Sequence, residues 1–168
     1  MGDKRIRLRP LKEEDAPRML EWMQNDDVTK YLNIGGKDTK IETVLDFIKS
    51  TVDESENIHR AVVDETDQYL GTISLKHVDI DKKEAEYAIS MHMDAIGTGA
   101  SRKATEKIID FAFKDMDLDR VVLCVRRDNC RALKFYNKCG FAIIPCPGYG
   151  LFLDKELMWF EQSAVDSR

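Results

Sequence analysis

Hydrophobic and polar residues alternate along this chain with two different periods, and each change of period marks a new element. A period of two, typical of half-buried strands, covers residues 5–8, 59–63, 69–78, 84–93 and 141–144. Apolar residues three and four positions apart, typical of helices, cover residues 12–24, 26–32, 39–51, about 101–113 and 129–138. Residues 120–125 are apolar on both faces, which predicts an interior strand. Residues 151–160 predict a last strand.

The segments between these elements are polar or rich in glycine and proline. They predict loops or turns at residues 33–37, 55–57, 64–67, 79–83 and 145–150. The tail from residue 161 is polar, and we expect it to fray. No repeat, linker or low-complexity segment interrupts the pattern, so residues 1–168 predict a single α+β domain.

The composition is that of a soluble globular protein. Its 168 residues are 43% hydrophobic and 34% charged, and the net charge of −5 argues against a general nucleic-acid binder. No signal peptide or membrane-spanning run is present, so we expect a cytoplasmic protein. The four cysteines lack zinc spacing and are interpreted as reduced cytosolic thiols: Cys124, Cys130, Cys139 and Cys146.

Residues 94–113 join a predicted strand to a predicted helix through a turn that contains Gly97 and Gly99. Backbone N–H groups and the helix dipole at such a turn favour a bound phosphate. Arg102 and Lys103 occupy the first helical turn, where cations cost helix stability, and a polyanionic ligand would offset that cost. The alternative is an ordinary glycine connection that carries two solvated bases.

Three blocks of the sequence form a recognisable set. The first is residues 5–15, followed by Trp22, Asn25, Asp26, Val28 and Tyr31. The second is the glycine turn with its helix, and the third, residues 129–141, is close to the segment N-x-x-A/S-x-x-x-Y-x-K-x-G-F. Together they resemble the GNAT family of N-acetyltransferases, in the branch that contains ribosomal-protein, polyamine and amino-sugar acetyltransferases.

The resemblance implies a splayed, mixed and mostly antiparallel sheet of about seven strands with helices on both faces, and acetyl-CoA as co-substrate. The turn would hold the cofactor pyrophosphate, and the preceding strand and Asn129 would hold the pantetheine arm. The cofactor-binding residues so implied are Ile89, Met91, His92, Met93, Gly97, Thr98, Gly99, Ala100, Ser101, Arg102, Lys103 and Asn129. Asn129 also suits a plain helix cap. The sequence departs from the family at Ile96, where a long polar residue is usual.

Two residues are candidates for the chemistry. The resemblance implies that Tyr136 is the general acid at the leaving thiolate, since a phenol stays protonated at neutral pH; the alternative is a buried aromatic of the helix stripe. Glu86 is the candidate base, because period two puts it on the strand face opposite Ala85, Tyr87, Ile89, Met91 and Met93. It could equally be a solvated strand carboxylate, with a water relay as the base.

The function so predicted is transfer of acetyl from acetyl-CoA to a primary amine by direct attack on the thioester, without a metal. The acceptor stays open between an amino-sugar nucleotide, a polyamine, a protein N-terminus and a small amine. A non-catalytic acyl-CoA sensor of the same fold is the alternative. A dinucleotide oxidoreductase is disfavoured, because Arg102 stands where the third glycine of G-x-G-x-x-G belongs. We expect no nucleic-acid or membrane partner, and a homodimer is left open.

Overall fold

The computed structural model describes residues 5–32, 35–144 and 157–164. Within these ranges the helices are α1 (Ala16–Met23), α2 (Asp26–Thr29), α3 (Ile41–Ser50), α4 (Ala100–Asp110) and α5 (Cys130–Lys138). The strands are β1 (Arg7–Arg9), β2 (Ile58–Val63), β3 (Tyr69–Asp79), β4 (Glu84–Met91), β5 (Arg120–Arg126), β6 (Ala142–Ile144) and β7 (Leu157–Ser163). A 3₁₀ turn, Glu13–Asp15, precedes α1, and a π-helical turn, Phe111–Asp115, extends α4.

The described strands form one mixed sheet in the order β1-β2-β3-β4-β5-β7-β6. Every neighbouring pair is antiparallel except β4 and β5, which run parallel. The crossover between these two strands is α4, as a parallel pair requires. The predicted α+β fold with a mostly antiparallel sheet of about seven strands is confirmed.

Each face of the sheet carries its own core. On one face, α4 packs on side chains of the central strands, with Ile73, Leu75 and Ile108 fully buried. On the other face, α1 and α3 cover the β2 and β3 end of the sheet, with Met19 and Val44 fully buried. The core beneath α1 and α3 lies over β2 and β3. The half of this face over β4 and β5 is outside that core.

Two strand ends, those of β4 and β7, differ from the sequence-based prediction in ways that matter here. β4 ends at Met91 instead of residue 93, because His92 caps a 3₁₀ turn over Met93–Ala95. β7 continues to Ser163, so the fraying expected from residue 161 is wrong for Glu161–Ser163, which pair with β5. Several predicted features lie outside the described residues: residues 33–34, the 145–150 loop with Cys146, the start of the last strand and the tail from 165.

The buried hydroxyl of Tyr69 connects α1 to the sheet. It accepts a hydrogen bond from Trp22 Nε1 at 2.9 Å and shares a second with Thr72 Oγ1 at 2.6 Å. The Tyr69 carbonyl accepts a third bond, from Arg18 Nε at 2.7 Å. Burial raises the pKa of the phenol well above its usual value, so the group stays neutral. α1 is thereby fixed over the start of β3.

We expect Tyr69→Phe to lower the free energy of unfolding by about 1–3 kcal/mol, because it leaves the buried Trp22 N–H without an acceptor. Denaturant unfolding measures the loss. Tyr31→Phe is the matched control: within the described part of the chain the Tyr31 hydroxyl bonds only the Asp128 carbonyl, at the surface and 3.5 Å away. Its cost should stay within about 0.5 kcal/mol. Equal costs for the two variants would contradict this role of Tyr69.

Candidate active site

β4 and β5 part in the middle of the sheet. Their parallel pairing covers three positions only, Glu84–Glu86 against Arg120–Val122. Beyond it, β4 remains paired with β3 as far as Met91, and β5 remains paired with β7 along its whole length. Each strand is therefore held on its outer side, while no strand of the described residues pairs with its inner side. We call the space between them the β4–β5 gap.

The backbone of β4 points alternately to β3 and into this gap. The N–H of His92 donates to the Leu70 carbonyl at 2.7 Å, which extends the ladder to β3. Because successive residues of a strand direct their backbone groups to opposite sides, Ile89 and Met91 direct theirs away from β3. These two of the four strand residues predicted to hold the cofactor thus offer backbone donors and acceptors to the gap.

The other two, His92 and Met93, are engaged elsewhere. His92 is buried, and its Nδ1 accepts from the Asp94 N–H at 3.1 Å. Its other ring nitrogen, Nε2, therefore carries the proton that is donated to the Glu21 carboxylate of α1 at 2.5 Å. Met93 packs in the core beneath α1 and α3. The prediction that the strand runs to residue 93 is wrong, because His92 caps the 3₁₀ turn that leads from β4 to the glycine turn.

The glycine turn exposes a set of backbone donors. Gly97 and Gly99 have φ values of +81° and +84°, a conformation that side chains rarely adopt. A Cβ built on either glycine meets no atom within 4 Å, so space is open above the turn. In the described part of the chain the N–H groups of Gly97, Gly99, Ser101 and Arg102 have no hydrogen-bond partner. The turn therefore presents four donors at the start of α4.

The side chains around the turn divide into supports and exposed groups. Thr98 Oγ1 donates to the Ala95 carbonyl at 2.6 Å and accepts from the N–H of Ala100, which is buried. Arg102 is exposed and lies 3.4 Å from Glu106, one turn along the helix. Lys103 is partly buried, and Ile96 is 37% exposed beside the turn. Positive charge thus lies next to the free donors.

Asn129 caps α5 and still has a donor to offer. Its Oδ1 accepts from the Ala132 N–H at 3.3 Å, which confirms the predicted cap. Its amide nitrogen has no partner among the residues that the structure describes. Asn129 follows the end of β5 by three residues, at the open end of the gap.

Tyr136 lies on α5 with its ring fixed by other rings. Tyr87, Phe135, Phe141 and Phe160 have ring centroids 5.4–6.2 Å from it. No described residue hydrogen-bonds its hydroxyl, whereas the Tyr87 hydroxyl is paired with Thr105 Oγ1 at 2.6 Å. Burial first, and Cys139 second, raise the pKa of Tyr136 well above its usual value. The predicted acid is thus a neutral phenol with an unused donor.

Glu86 lies on the opposite face of the sheet. Its neighbours Ala85 and Tyr87 belong to the core under α4, so the alternation of β4 directs Glu86 the other way. It sits at the last β4–β5 pair, opposite Val122. Its carboxylate lines a cavity of about 320 Å³, together with His77, Asp79, Lys82, Glu84, Ala85, Val122 and Trp159.

One neighbour of this carboxylate was not predicted as functional. His77 Nε2 lies 3.7 Å from Glu86 Oε2. The sequence pattern makes His77 a residue near a strand end, and the irregularity that brings it to Glu86 leaves no sign in the hydrophobic period.

In residues 5–32, 35–144 and 157–164 no three His, Cys, Asp or Glu side chains are placed to hold a metal, and no helix has the length and apolar character to cross a membrane.

Known proteins share both the sequence and the fold. The family described as acetyltransferase (GNAT) domain matches residues 5–142. An uncharacterized N-acetyltransferase of Bacillus licheniformis is 29% identical over 82% of this chain and 79% of its own. Spermidine N(1)-acetyltransferase of Escherichia coli is 26% identical over 82% of this chain and 73% of its own.

Among solved structures, spermidine N-acetyltransferase of Vibrio cholerae in complex with CoA and spermine superposes with a TM-score of 0.81. The superposition covers 95% of this chain and 96% of that one at 17% identity, so it shows the shared fold. The family match covers most of the chain and includes the glycine turn, the β4–β5 gap and Tyr136. The chain therefore belongs to the GNAT family and is an acetyl-CoA-dependent N-acetyltransferase.

Proposed function

We propose that acetyl transfer takes place in the β4–β5 gap, with Tyr136 as general acid and Glu86 as general base. The observation that carries this proposal is the hydroxyl of Tyr136, which has no hydrogen-bond partner among the described residues and lies beside β4, while Glu86 projects from the other face one residue from Tyr87. Both groups adjoin the place where the parallel pairing ends.

The residues around the gap fit an elongated thioester cofactor with a phosphate-bearing end. Four free N–H groups at the glycine turn suit pyrophosphate oxygens, and Arg102 adds positive charge. The backbone of Ile89 and Met91 and the amide nitrogen of Asn129 suit the amide groups of a pantetheine arm. When bound, acetyl-CoA supplies an activated acyl group and a thiolate leaving group.

Because Tyr136 and Glu86 lie on opposite faces of the sheet, the two proton transfers of the reaction take place on different sides of the gap. On the Glu86 face, the carboxylate takes a proton from the acceptor ammonium, which makes the nitrogen nucleophilic. On the Tyr136 face, the phenol gives a proton to the leaving sulfur. Because burial raises the pKa of Tyr136, the phenol remains protonated through the neutral range and is ready to donate.

The cavity beside Glu86 supports a cationic acceptor. Asp79, Glu84 and Glu86 line it beside Lys82, with the Glu84 carboxylate already paired with Arg120, and Val122 and Trp159 add apolar surface. Carboxylates with apolar surface suit a primary amine on an aliphatic chain, and three relatives carry names that refer to spermidine. We therefore propose a polyamine-type amine as acceptor. A homo-oligomer is proposed with it, since one structural neighbour, the Vibrio cholerae enzyme, is dodecameric.

The experiment that tests this function measures CoA thiol release from acetyl-CoA with a panel of amines and identifies the acetylated product by mass. The panel contains spermidine, an amino-sugar nucleotide, a peptide with a free N-terminus and a small monoamine. We expect the highest kcat/KM with spermidine. Thiol release with none of them would favour the acyl-CoA sensor, and a preference for the sugar nucleotide would remove the polyamine assignment.

The glycine turn gives the first prediction of the proposed function. Gly99→Ala should lower acetyl-CoA affinity at least tenfold, since the added Cβ occupies the open space where phosphate would approach the backbone. The ligand-induced shift in Tm measures it, because a ligand that binds only the native state raises Tm. Gly140→Ala is the strain-matched control, with φ +91° and equally open space, and should keep the shift. Equal shifts in both variants would remove the turn from the cofactor site.

A pair of tyrosine variants gives the second prediction. Tyr136→Phe should lower kcat on the order of 10²–10⁴-fold with acetyl-CoA affinity unchanged, since proton delivery to sulfur is lost. Its stability cost should be below about 0.5 kcal/mol, because no described residue bonds the hydroxyl. Tyr87→Phe should show the reverse: a cost of about 0.5–1.5 kcal/mol for the lost hydrogen bond, since Thr105 Oγ1 keeps its bond to the Ser101 carbonyl, and near-normal kcat. A near-normal kcat for Tyr136→Phe in single-turnover assays would leave it a packing residue.

The third prediction concerns Glu86. Glu86→Gln keeps the shape of the side chain and removes its basicity, so kcat/KM should fall on the order of 10²-fold below the amine pKa of the acceptor. Above that pKa the amine is already neutral, and the two enzymes should converge. The pH profile of kcat/KM measures this, with acetyl-CoA affinity expected to stay unchanged. A loss of the same size at every pH would indicate a binding role instead of a base.

A further inference from the structure

His77 has a backbone conformation that its neighbours in the sheet do not share. Four non-glycine residues in the described ranges have positive φ: Asp67, His77, Lys83 and Asp117. Three of them lie in turns that precede a strand. His77, with φ 51°, is the one that lies inside a strand, β3. A left-handed residue within a strand is strained and persists only where its surroundings hold it.

A β-bulge explains the conformation and redirects the side chain. Lys76 pairs with Glu86, but the next pair joins Asp79 to Glu84, so β3 advances three residues while β4 advances two. Leu75 is buried in the core on the α4 face, so a regular strand would send His77 to that same face. The bulge instead brings His77 Nε2 to 3.7 Å from Glu86 Oε2.

The loop before β2 holds the bulge in place. The His77 N–H donates to Asn57 Oδ1 at 3.0 Å, and the Val78 N–H donates to the Glu56 carbonyl at 2.9 Å. Both donors would otherwise face solvent at an irregular point of the ladder. The strained conformation is thus fixed by two bonds from another segment, and it keeps the imidazole at the carboxylate.

The two side chains differ in their access to water. The Glu86 side chain is 28% exposed at the cavity wall, whereas that of His77 is 73% exposed. The charged and titratable groups that face His77 come from its own strand, the β3–β4 turn, β4 and the loop before β2: Lys76, Asp79, Asp81, Lys82, Glu84, Glu86 and Glu56. An acceptor amine bound at Glu86 would cover the carboxylate and leave the imidazole in contact with solvent.

We propose that His77 is a positioning residue that acts through Glu86 and conducts the proton of the acceptor amine to water; this rests on the proposed function, in which Glu86 is the base. An N–H bond of the ammonium breaks as an O–H bond forms on Glu86. That O–H bond then breaks as His77 Nε2 takes the proton, directly or through one water. The imidazolium releases its proton to solvent, and Glu86 is again a carboxylate.

Chemical rescue tests this role. His77→Gly accepts the left-handed backbone and leaves space for added imidazole; with spermidine as acceptor, kcat should fall about tenfold with the KM for acetyl-CoA unchanged. Imidazole should restore most of the rate, more so as its neutral fraction rises with pH. Thiol release without spermidine is subtracted, so that direct acetylation of imidazole is not counted. His77→Asn tolerates the same backbone and fills the space, so it should show the same loss without rescue.

Lys83→Gly is the matched control, since Lys83 has φ 56° in the same hairpin and its side chain pairs with Asp117, away from Glu86. It should keep the normal kcat and ignore imidazole. A normal kcat for His77→Gly, or a loss that imidazole does not restore, would overturn the role of His77. Glu86→Gln distinguishes the role of His77 from the proposed function. If Glu86→Gln shows its predicted pH profile and imidazole rescue fails, only the role of His77 is excluded. If Glu86→Gln keeps the normal pH profile, the roles of both Glu86 and His77 are excluded.

Discussion

The short parallel pairing of β4 with β5 is the constraint on which the rest of this site depends. Three paired positions hold the two strands together at one end. At the other end each strand is hydrogen-bonded to its outer neighbour. The backbone N–H and C=O groups of Ile89 and Met91, which would be paired in a continuous sheet, therefore remain available to a ligand. In the proposed site, an interruption of the sheet therefore supplies the backbone groups that would hold the cofactor.

The hydrophobic periods predicted most of the fold because they report burial, and burial decides which residues lie on which face. Residues 120–125 were recognisable as an interior strand for that reason, and β5 is flanked on both sides. The end of β4 was misplaced because the contact of His92 with Glu21 is tertiary, and its local cap on the Asp94 N–H leaves no mark in the hydrophobic period. The hypotheses about Tyr136 and the glycine turn came from motif spacing. The hydrophobic periods could not predict the gap, since it consists of pairs that do not form, and only the family resemblance implied a splayed sheet.

Residues of one type do different work here according to their partners. Tyr69 and Tyr87 are buried with both hydroxyls bonded, so they serve the fold, whereas the Tyr136 hydroxyl has no hydrogen-bond partner among the described residues. His92 makes two hydrogen bonds, and His77 lies exposed beside a carboxylate. Composition counts these residues alike. The hydrogen bonds of each side chain distinguish them.

The hydrogen bond between Glu21 and His92 links the two halves of the molecule mechanically. Glu21 belongs to α1, on the Glu86 side of the sheet, and His92 starts the loop that becomes the glycine turn. Arg18 of α1 approaches the same loop at Asp94. We expect a displacement of α1 to shift the loop that leads into the glycine turn, because these contacts tie the two together. Substitutions in α1 that remove Glu21 should therefore alter the turn as well as the helix.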